Sequence, residues 1–408
     1  MKNRIGRYCP RQTLFALFII IPSILLTTGQ LSAAAPPAKA IKAMAGEHDA
    51  VLVTNDTGDR IFSHNIHQKL IPASTLKVLT GLAALHYLGP DYRFPTTFFQ
   101  TETNDLLIKG YGDPMLISEA VAGIARALSP RIDRVQDIIL DDSYFKSPIE
   151  IPGVSANTLQ PYNAPNGALC VNFNTVNFQT HNGQIKSAEP QTPMLPAALR
   201  RIKKKELGSG RILLSDHSGE ALLYAGQLFR YFLTQEGIAI QGGIREGALD
   251  PQRAELLYRH TSEYPLRAII KNLFKYSNNY MANQVLLAAG AEIFGPPATR
   301  EKGVSLLKKY CKEHLGIMDI QLAEGSGISR GNRVSAAMFD KILAAFAGYF
   351  ELMPNTDGIY HKTGTLDGIQ TRVGYIKAKE GFFRFVILLN TKGKRTEPII
   401  REIKKLIQ

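Results

Sequence analysis

Cysteine is scarce in this chain, and its placement limits what it can do. Of three cysteines in 408 residues, Cys9 lies within the first 34, leaving Cys170 and Cys311. Such a pair allows one disulfide in an oxidising compartment, and spacing alone leaves open whether it forms. The nine histidines show no metal-ligand spacing, and His64 and His67 stand in a polar, turn-like segment. No structural metal and no cofactor is therefore expected. The apolar run from Leu14 to Leu26 contains Pro22 and is short for a membrane span, so an uncleaved anchor is the lesser reading.

That run is instead flanked as in a secretory signal. Lys2, Arg4, Arg7 and Arg11 precede it and the small residues Ser32, Ala33, Ala34 and Ala35 follow, so a signal peptide is expected over 1–34. No cysteine stands at the cleavage region, which argues against a lipid anchor. The mature chain should then work outside the cytoplasm, in a periplasmic or extracellular envelope.

Acidic residues are outnumbered, 35 against 48 lysines and arginines. Without the leader, 44 basic residues remain, a formal charge of +9. Basic clusters stand at Arg200, Arg201, Lys203, Lys204 and Lys205, and at Lys392, Lys394, Arg395, Arg401, Lys404 and Lys405. Either solvated surface or contact with anionic polymers and lipid head groups accounts for them. An exported location argues against nucleic acid as a partner.

The order of patterns gives the architecture. Strand-like runs at Ala50–Thr54 and Arg60–Ser63 enclose a turn, and a helical repeat follows from Ile71 to Tyr87, stopping near Gly89-Pro90. From about residue 93 to 246 short strands and turns replace it, with helical stretches at Ile117–Leu128 and Gly219–Glu236 and a strand at Ile238–Ile244. Helical periodicity then resumes. Three strand-like runs at Tyr360–Lys362, Arg372–Ile376 and Phe382–Asn390 precede a closing helix. Strands near both ends with helices between them predict one α/β domain, 41–92 with 247–408, whose sheet joins both termini. Residues 93–246 read as an α+β insertion with its own core.

Three short segments carry candidate chemistry. Ser74 and Lys77, three residues apart after Pro72, are placed by the helical repeat on one face, where an amine can take the serine's proton. The spacing recurs at Ser143/Lys146 and Ser305/Lys308, so alone it decides nothing. Ser277-Asn278-Asn279 and Lys362-Thr363-Gly364 follow in order, the latter on a predicted strand. That ordered set matches a stated pattern of penicillin-binding proteins and serine β-lactamases.

With Pro72-Ala73-Ser74, Gly110-Tyr111-Gly112-Asp113-Pro114, Asp141-Asp142-Ser143-Tyr144-Phe145, Ser326-Gly327-Ile328-Ser329-Arg330 and Lys362-Thr363-Gly364-Thr365-Leu366, the chain resembles the class C low-molecular-mass penicillin-binding proteins. These are D-alanyl-D-alanine carboxypeptidases and endopeptidases. The resemblance implies a β-lactamase/transpeptidase-like domain, an antiparallel sheet flanked by helices, interrupted by the insertion. It implies a Ser74 acyl-enzyme with Lys77 as general base, and proton transfer through Ser277. Asn279 would hold Lys77 and the substrate amide, and Lys362, Thr363 and Thr365 would receive the terminal carboxylate. Gly364 would let substrate backbone approach. Asp141 and Arg330 would line a pocket for a stem-peptide side chain. Peptidoglycan stem peptides are the implied substrates and β-lactams the implied covalent inhibitors.

The chain departs from that pattern between Ser326 and Lys362, which only 36 positions separate, and at Glu324, where the family has aspartate. A reduced cleft wall is expected. A β-lactamase, which usually lacks such an insertion, and a non-catalytic wall-binding or β-lactam-sensing protein are the competing readings.

Overall fold

Both ends of the chain meet in one antiparallel sheet. A computed structural model describes residues 36–155, 158–204, 208–215, 218–248, 250 and 252–408. The leader expected over 1–34, and Lys205 of the first basic cluster, lie outside them. Strand Asp49–Thr54 lies between Arg60–His64 and Gly381–Leu389, and the six-stranded sheet continues through Ile369–Ala378 and Ile359–Leu366 to the edge strand Asn355–Thr356.

The central strands are buried on both faces, so period-two alternation sorts their side chains between two cores. Ala50, Leu52, Val386 and Leu388 join the larger, helical core. Val51, Val53, Phe385, Ile387 and Leu389 meet Ile41 of helix Pro37–Met44 and Ile399, Ile400 and Ile403 of helix Thr396–Leu406. The expected sheet joining both termini, with helices on its faces, is the observed one.

Helix Lys77–Leu88 runs through the larger core. Every residue from Lys77 to Leu85 is buried, so the apolar repeat is less a stripe than the visible part of an all-round contact. Helices Leu266–Tyr276, Asn279–Phe294, Arg300–Leu315 and Ala336–Phe346 complete that core. Ala336–Phe346 and the 3-10 turns Ala347–Leu352 fill the short interval between Ser326 and Lys362.

The inserted segment has separate sheets and a largely separate core, although Met115, Tyr144, Phe145, Ala164, Ala168 and Cys170 pack into the larger, helical one. Its five-stranded mixed sheet runs Ile244–Glu246, Ile138–Asp141, Leu106–Gly110, Pro95–Thr101, Ala254–Thr261. Helices Ser118–Leu128 and Ser218–Gln235 share its core with Phe98, Ile108, Leu140, Leu228 and Phe229. A second, antiparallel sheet joins Thr175–His181 to Gln184–Ser187 and Ser209–Leu213.

Two local expectations change. The strand expected over Ile238–Ile244 is split into Ala239–Ile240 and Ile244–Glu246, because Gly242 and Gly243 wrap the Asp137 carboxylate, which accepts the Gly243 N–H at 2.8 Å. The expected boundary at 246 falls inside the insertion's sheet, since Ala254–Thr261 pairs with Pro95–Thr101 along its length. Cys170 and Cys311 are both buried free thiols.

A core that is largely separate predicts separable stability. Leu228→Ala, at a fully buried position, should cost about 2–5 kcal/mol. Hydrogen exchange should show lost protection within 93–261 and unchanged protection in Lys77–Leu88. Equal losses in both would mean that the insertion is no independent unit.

Candidate active site

Ser74 sits in a 3-10 turn, Ala73–Leu76, that feeds helix Lys77–Leu88, rather than in the first α-helical turn. The turn is held by its surroundings. Ala73 has φ 49°, a left-handed conformation that costs a non-glycine residue on the order of 1–3 kcal/mol. Thr75 Oγ1 donates to the Pro72 carbonyl at 2.6 Å, and Thr371 Oγ1, from the neighbouring sheet strand, donates to the same oxygen at 2.7 Å. From the other side Gly327, with φ 84°, approaches so closely that a Cβ there would lie 1.9 Å from the Ala73 carbonyl oxygen.

Lys77 is the centre of the site. Its Nζ is 2.9 Å from Ser74 Oγ, 2.7 Å from Asn279 Oδ1 and 2.7 Å from the Ser326 carbonyl. Wholly buried, it has its pKa pushed well below the usual lysine range, first by loss of solvation and then by the Lys362 cation, with Glu324 opposing. An amine so placed is available to take the serine's proton.

A helix junction supplies the next two groups. Helix Leu266–Tyr276 ends on Ser277 in the left-handed conformation, and Asn278 caps the next helix by accepting the Met281 N–H at 3.0 Å. This turn lets Ser277 Oγ reach Lys362 Nζ at 2.7 Å while Asn279 reaches Lys77. Lys362 also donates to the Thr363 carbonyl at 2.6 Å, and burial lowers its pKa to about 8.

Glu324 shapes the loop behind Lys77. Its buried carboxylate accepts from the Ser326 N–H and Oγ, both at 2.6 Å, the Gly327 N–H at 2.7 Å and Asn332 Nδ2 at 2.8 Å. Folding the loop around one acid holds the Ser326 carbonyl on Lys77 and Gly327 on the Ser74 turn.

The remaining sequence candidates divide. Thr363, Gly364 and Thr365 lie on strand Ile359–Leu366, beside Ser74: a Cβ on Gly364 would come 2.8 Å from the Ser74 nitrogen. Arg330 is exposed and donates to the Asp367 carbonyl just past that strand. Asp141, at the end of an insertion strand, is engaged by Lys109 Nζ and the Ser143 N–H, each at 2.9 Å, and lines a different cavity with Asp142, Ser147 and Glu246.

Sequence reading missed the Ser326 carbonyl, Thr371 and the Tyr162 carbonyl, which accepts from Asn279 Nδ2 at 3.3 Å. Two of these are backbone groups, which no residue pattern reports. Among the described residues no cluster of three His, Cys, Asp or Glu could hold a metal ion.

The pattern of the D-Ala-D-Ala carboxypeptidase 3 (S13) family matches residues 35–209 and 212–352. A D-alanyl-D-alanine carboxypeptidase of Actinomadura sp. is 26% identical over 414 aligned positions, covering 83% of this chain and 77% of that protein. A D-alanyl-D-alanine carboxypeptidase of Haemophilus influenzae is 21% identical, covering 79% of this chain and 80% of its own. The crystal structure of penicillin binding protein 4 from Haemophilus influenzae superposes with a TM-score of 0.73 at 21% identity, over 90% of this chain and 98% of that one. A predatory peptidoglycan endopeptidase from Bdellovibrio bacteriovorus has the same fold, with a TM-score of 0.53 at 16% identity, over 88% and 92% of the two chains.

Strand and serine are in near contact, so the glycine between them is testable. A Cβ at Gly364 would lie 2.4 Å from Thr371 Oγ1 as well as against the Ser74 nitrogen. Gly364→Ala should slow acylation of Ser74 by an activated thioester on the order of 100-fold, the cost of displacing reacting groups by about 1 Å. An unchanged rate by intact-mass kinetics would show that the strand plays no part in acylation.

Proposed function

The chain belongs to the D-Ala-D-Ala carboxypeptidase 3 (S13) family, and from that membership we propose how its residues act as a serine DD-peptidase on peptidoglycan stem peptides. Ser74 Oγ attacks the carbonyl of the D-Ala-D-Ala bond as its proton passes to the neutral Lys77 amine. The Ser74 and Thr365 backbone N–H groups take the oxyanion that forms. As the oxyanion collapses and the C–N bond breaks, the proton held by Lys77 is relayed through Ser277 to the departing D-alanine amine. Water, giving its proton to Lys77, then attacks the acyl ester, and that proton returns to Ser74 as the ester bond breaks. The Lys362 cation, with the Thr363 and Thr365 hydroxyls, holds the terminal carboxylate.

One observation carries this assignment. A wholly buried lysine stands 2.9 Å from the serine, with a second cation lowering its pKa further. A solvated lysine would be protonated and useless as a base near neutral pH.

β-Lactams are attacked by the same serine, giving a persistent adduct. Carboxypeptidase action leads, with cross-link hydrolysis second. Arg330, held at the end of the carboxylate-binding strand, supports a role in contacting a stem side chain. Asp141 would join it only by exchanging Lys109. We read the catalytic domain as 41–92 with 262–408 and the insertion as 93–261, the expected boundary at 246 moving past Ala254–Thr261, which completes the insertion's sheet. The basic, apolar and small-residue pattern of 1–34 supports action in the cell envelope, where the basic C-terminal cluster can meet anionic polymers or membrane.

Incubation with a D-Ala-D-Ala-terminated stem peptide should release D-alanine from the wild type and none from Ser74→Ala. Equal release across several stems would leave a binding or sensing protein. Labelled penicillin should stay bound, whereas loss of label within seconds would indicate a β-lactamase.

The two lysines also set a pH window. Lys362 must be charged to hold a carboxylate, and its pKa lies at about 8. The KM for the stem peptide should therefore rise as pH passes about 8 and Lys362 loses its proton. Removing the terminal carboxylate by amidation should abolish that rise. If the amide shows the same basic limb, Lys362 does not read the carboxylate.

A further inference from the structure

The insertion touches helix Asn279–Phe294 along a short zipper of polar contacts. On one side are Tyr162, Asn166 and Gly167; on the other are Asn279, Tyr280 and Gln284, within two turns of one helix. The Tyr162 carbonyl accepts from Asn279 Nδ2 at 3.3 Å. Asn166 Nδ2 donates to the Tyr280 carbonyl at 3.0 Å and to Gln284 Oε1 at 2.8 Å, and Gln284 Nε2 returns a bond to the Gly167 carbonyl at 2.6 Å. Asn166 is 2% exposed and Gln284 fully buried, so water cannot replace these bonds.

The segment is built to keep this shape. Its 3-10 turn Pro161–Asn163 is closed by Asn163 N–H to the Gln160 carbonyl at 3.0 Å. The Ala168 carbonyl takes the Gly112 N–H at 2.8 Å. At its far end Asn172, Phe173 and Asn174 run consecutively at positive φ, and Asn174 Nδ2 holds the Pro165 carbonyl at 2.8 Å.

We propose that the 160–174 segment positions the Ser74 site, with Asn166 as the positioning residue that registers the Tyr162 carbonyl on Asn279. The proposal rests on the Ser74, Lys77 and Asn279 roles given above. A primary amide has an accepting end and a donating end of nearly equal shape. With one Nδ2 hydrogen committed to Tyr162, Asn279 must turn Oδ1 toward Lys77, and its second Nδ2 hydrogen is left for a substrate carbonyl. Without that acceptor the amide can reverse, presenting its donors to a lysine that itself donates to the Ser326 carbonyl. Asn166 touches no reacting atom and acts through this orientation.

Asn166→Ala in the full chain tests the assignment. Acylation of Ser74 by penicillin should slow by about 10–100-fold, as for a misoriented catalytic group, with little change in the concentration giving half-maximal rate. The direction of the pH change separates positioning from loosening. Lys77 faces Lys362 and Glu324 as well as Asn279. A reversed amide withdraws an acceptor from the ammonium, so the acid limb of acylation should move to lower pH. Mere loosening admits water, relieves desolvation and moves that limb up.

Leu228→Ala, which injures the insertion's core away from the zipper, should lower the melting temperature without changing acylation rate or pH profile. Gln284→Met removes the other half of the zipper and should repeat the Asn166→Ala result. A normal rate in Asn166→Ala, an upward limb, or failure of both zipper variants to fold would overturn the proposal. A wild type that penicillin does not label at Ser74 would overturn the parent assignment itself.

Discussion

A lysine amine buried in a helical core, within hydrogen-bond reach of a serine, is the constraint to which the rest of this structure answers. Burying a cation costs several kcal/mol unless it is neutralised or well partnered. The fold supplies partners for Lys77 from its own turn and from two distant parts of the chain: Ser74, then Asn279 and the Ser326 carbonyl. Each of those must itself be held. The Ser326 carbonyl depends on Glu324, and Glu324 on a loop that wraps it with backbone and asparagine N–H groups. Ser74 depends on a turn with Ala73 in a disfavoured conformation, clamped between Gly327 and Thr371. Strain at the nucleophile is sustained by packing on both sides of it.

Two lysines can take the different roles proposed for them because their surroundings differ. Lys77 is wholly enclosed and faces a second cation, so it favours the neutral form. Lys362 sits on the strand at the cleft, bonded to Ser277 Oγ and the Thr363 carbonyl, and keeps its proton to about pH 8. Environments that separate the pKa values of like groups divide base from electrostatic anchor. Ser277, itself left-handed at a helix junction, accepts from this cation, where the proposed mechanism has it relay a proton.

The insertion is coupled to this centre although much of its core is separate. It contributes a carbonyl to Asn279 and exchanges buried amide bonds with the helix that carries it. Buried polar pairs of this kind are costly when half-made and specific when complete. Together with the apolar packing of Ala164, Ala168 and Cys170, they fix the register of the inserted segment on helix Asn279–Phe294.

The chemistry was legible in the sequence because acyl transfer demands residue types: a serine, amines and an amide in a set order. Fold class was legible through periodicity and the placement of strands near both ends. The 3-10 turn at Ser74, the sheet strand beyond residue 246 and the engagement of Asp141 by Lys109 were not, since each follows from distant packing. Ser143/Lys146 and Ser305/Lys308 repeat the Ser74/Lys77 spacing, yet all four of those residues are exposed. Spacing determines only that an amine and a hydroxyl can share one face. Whether that amine is a solvated cation or a base depends on the water removed around it, and only the tertiary structure removes it.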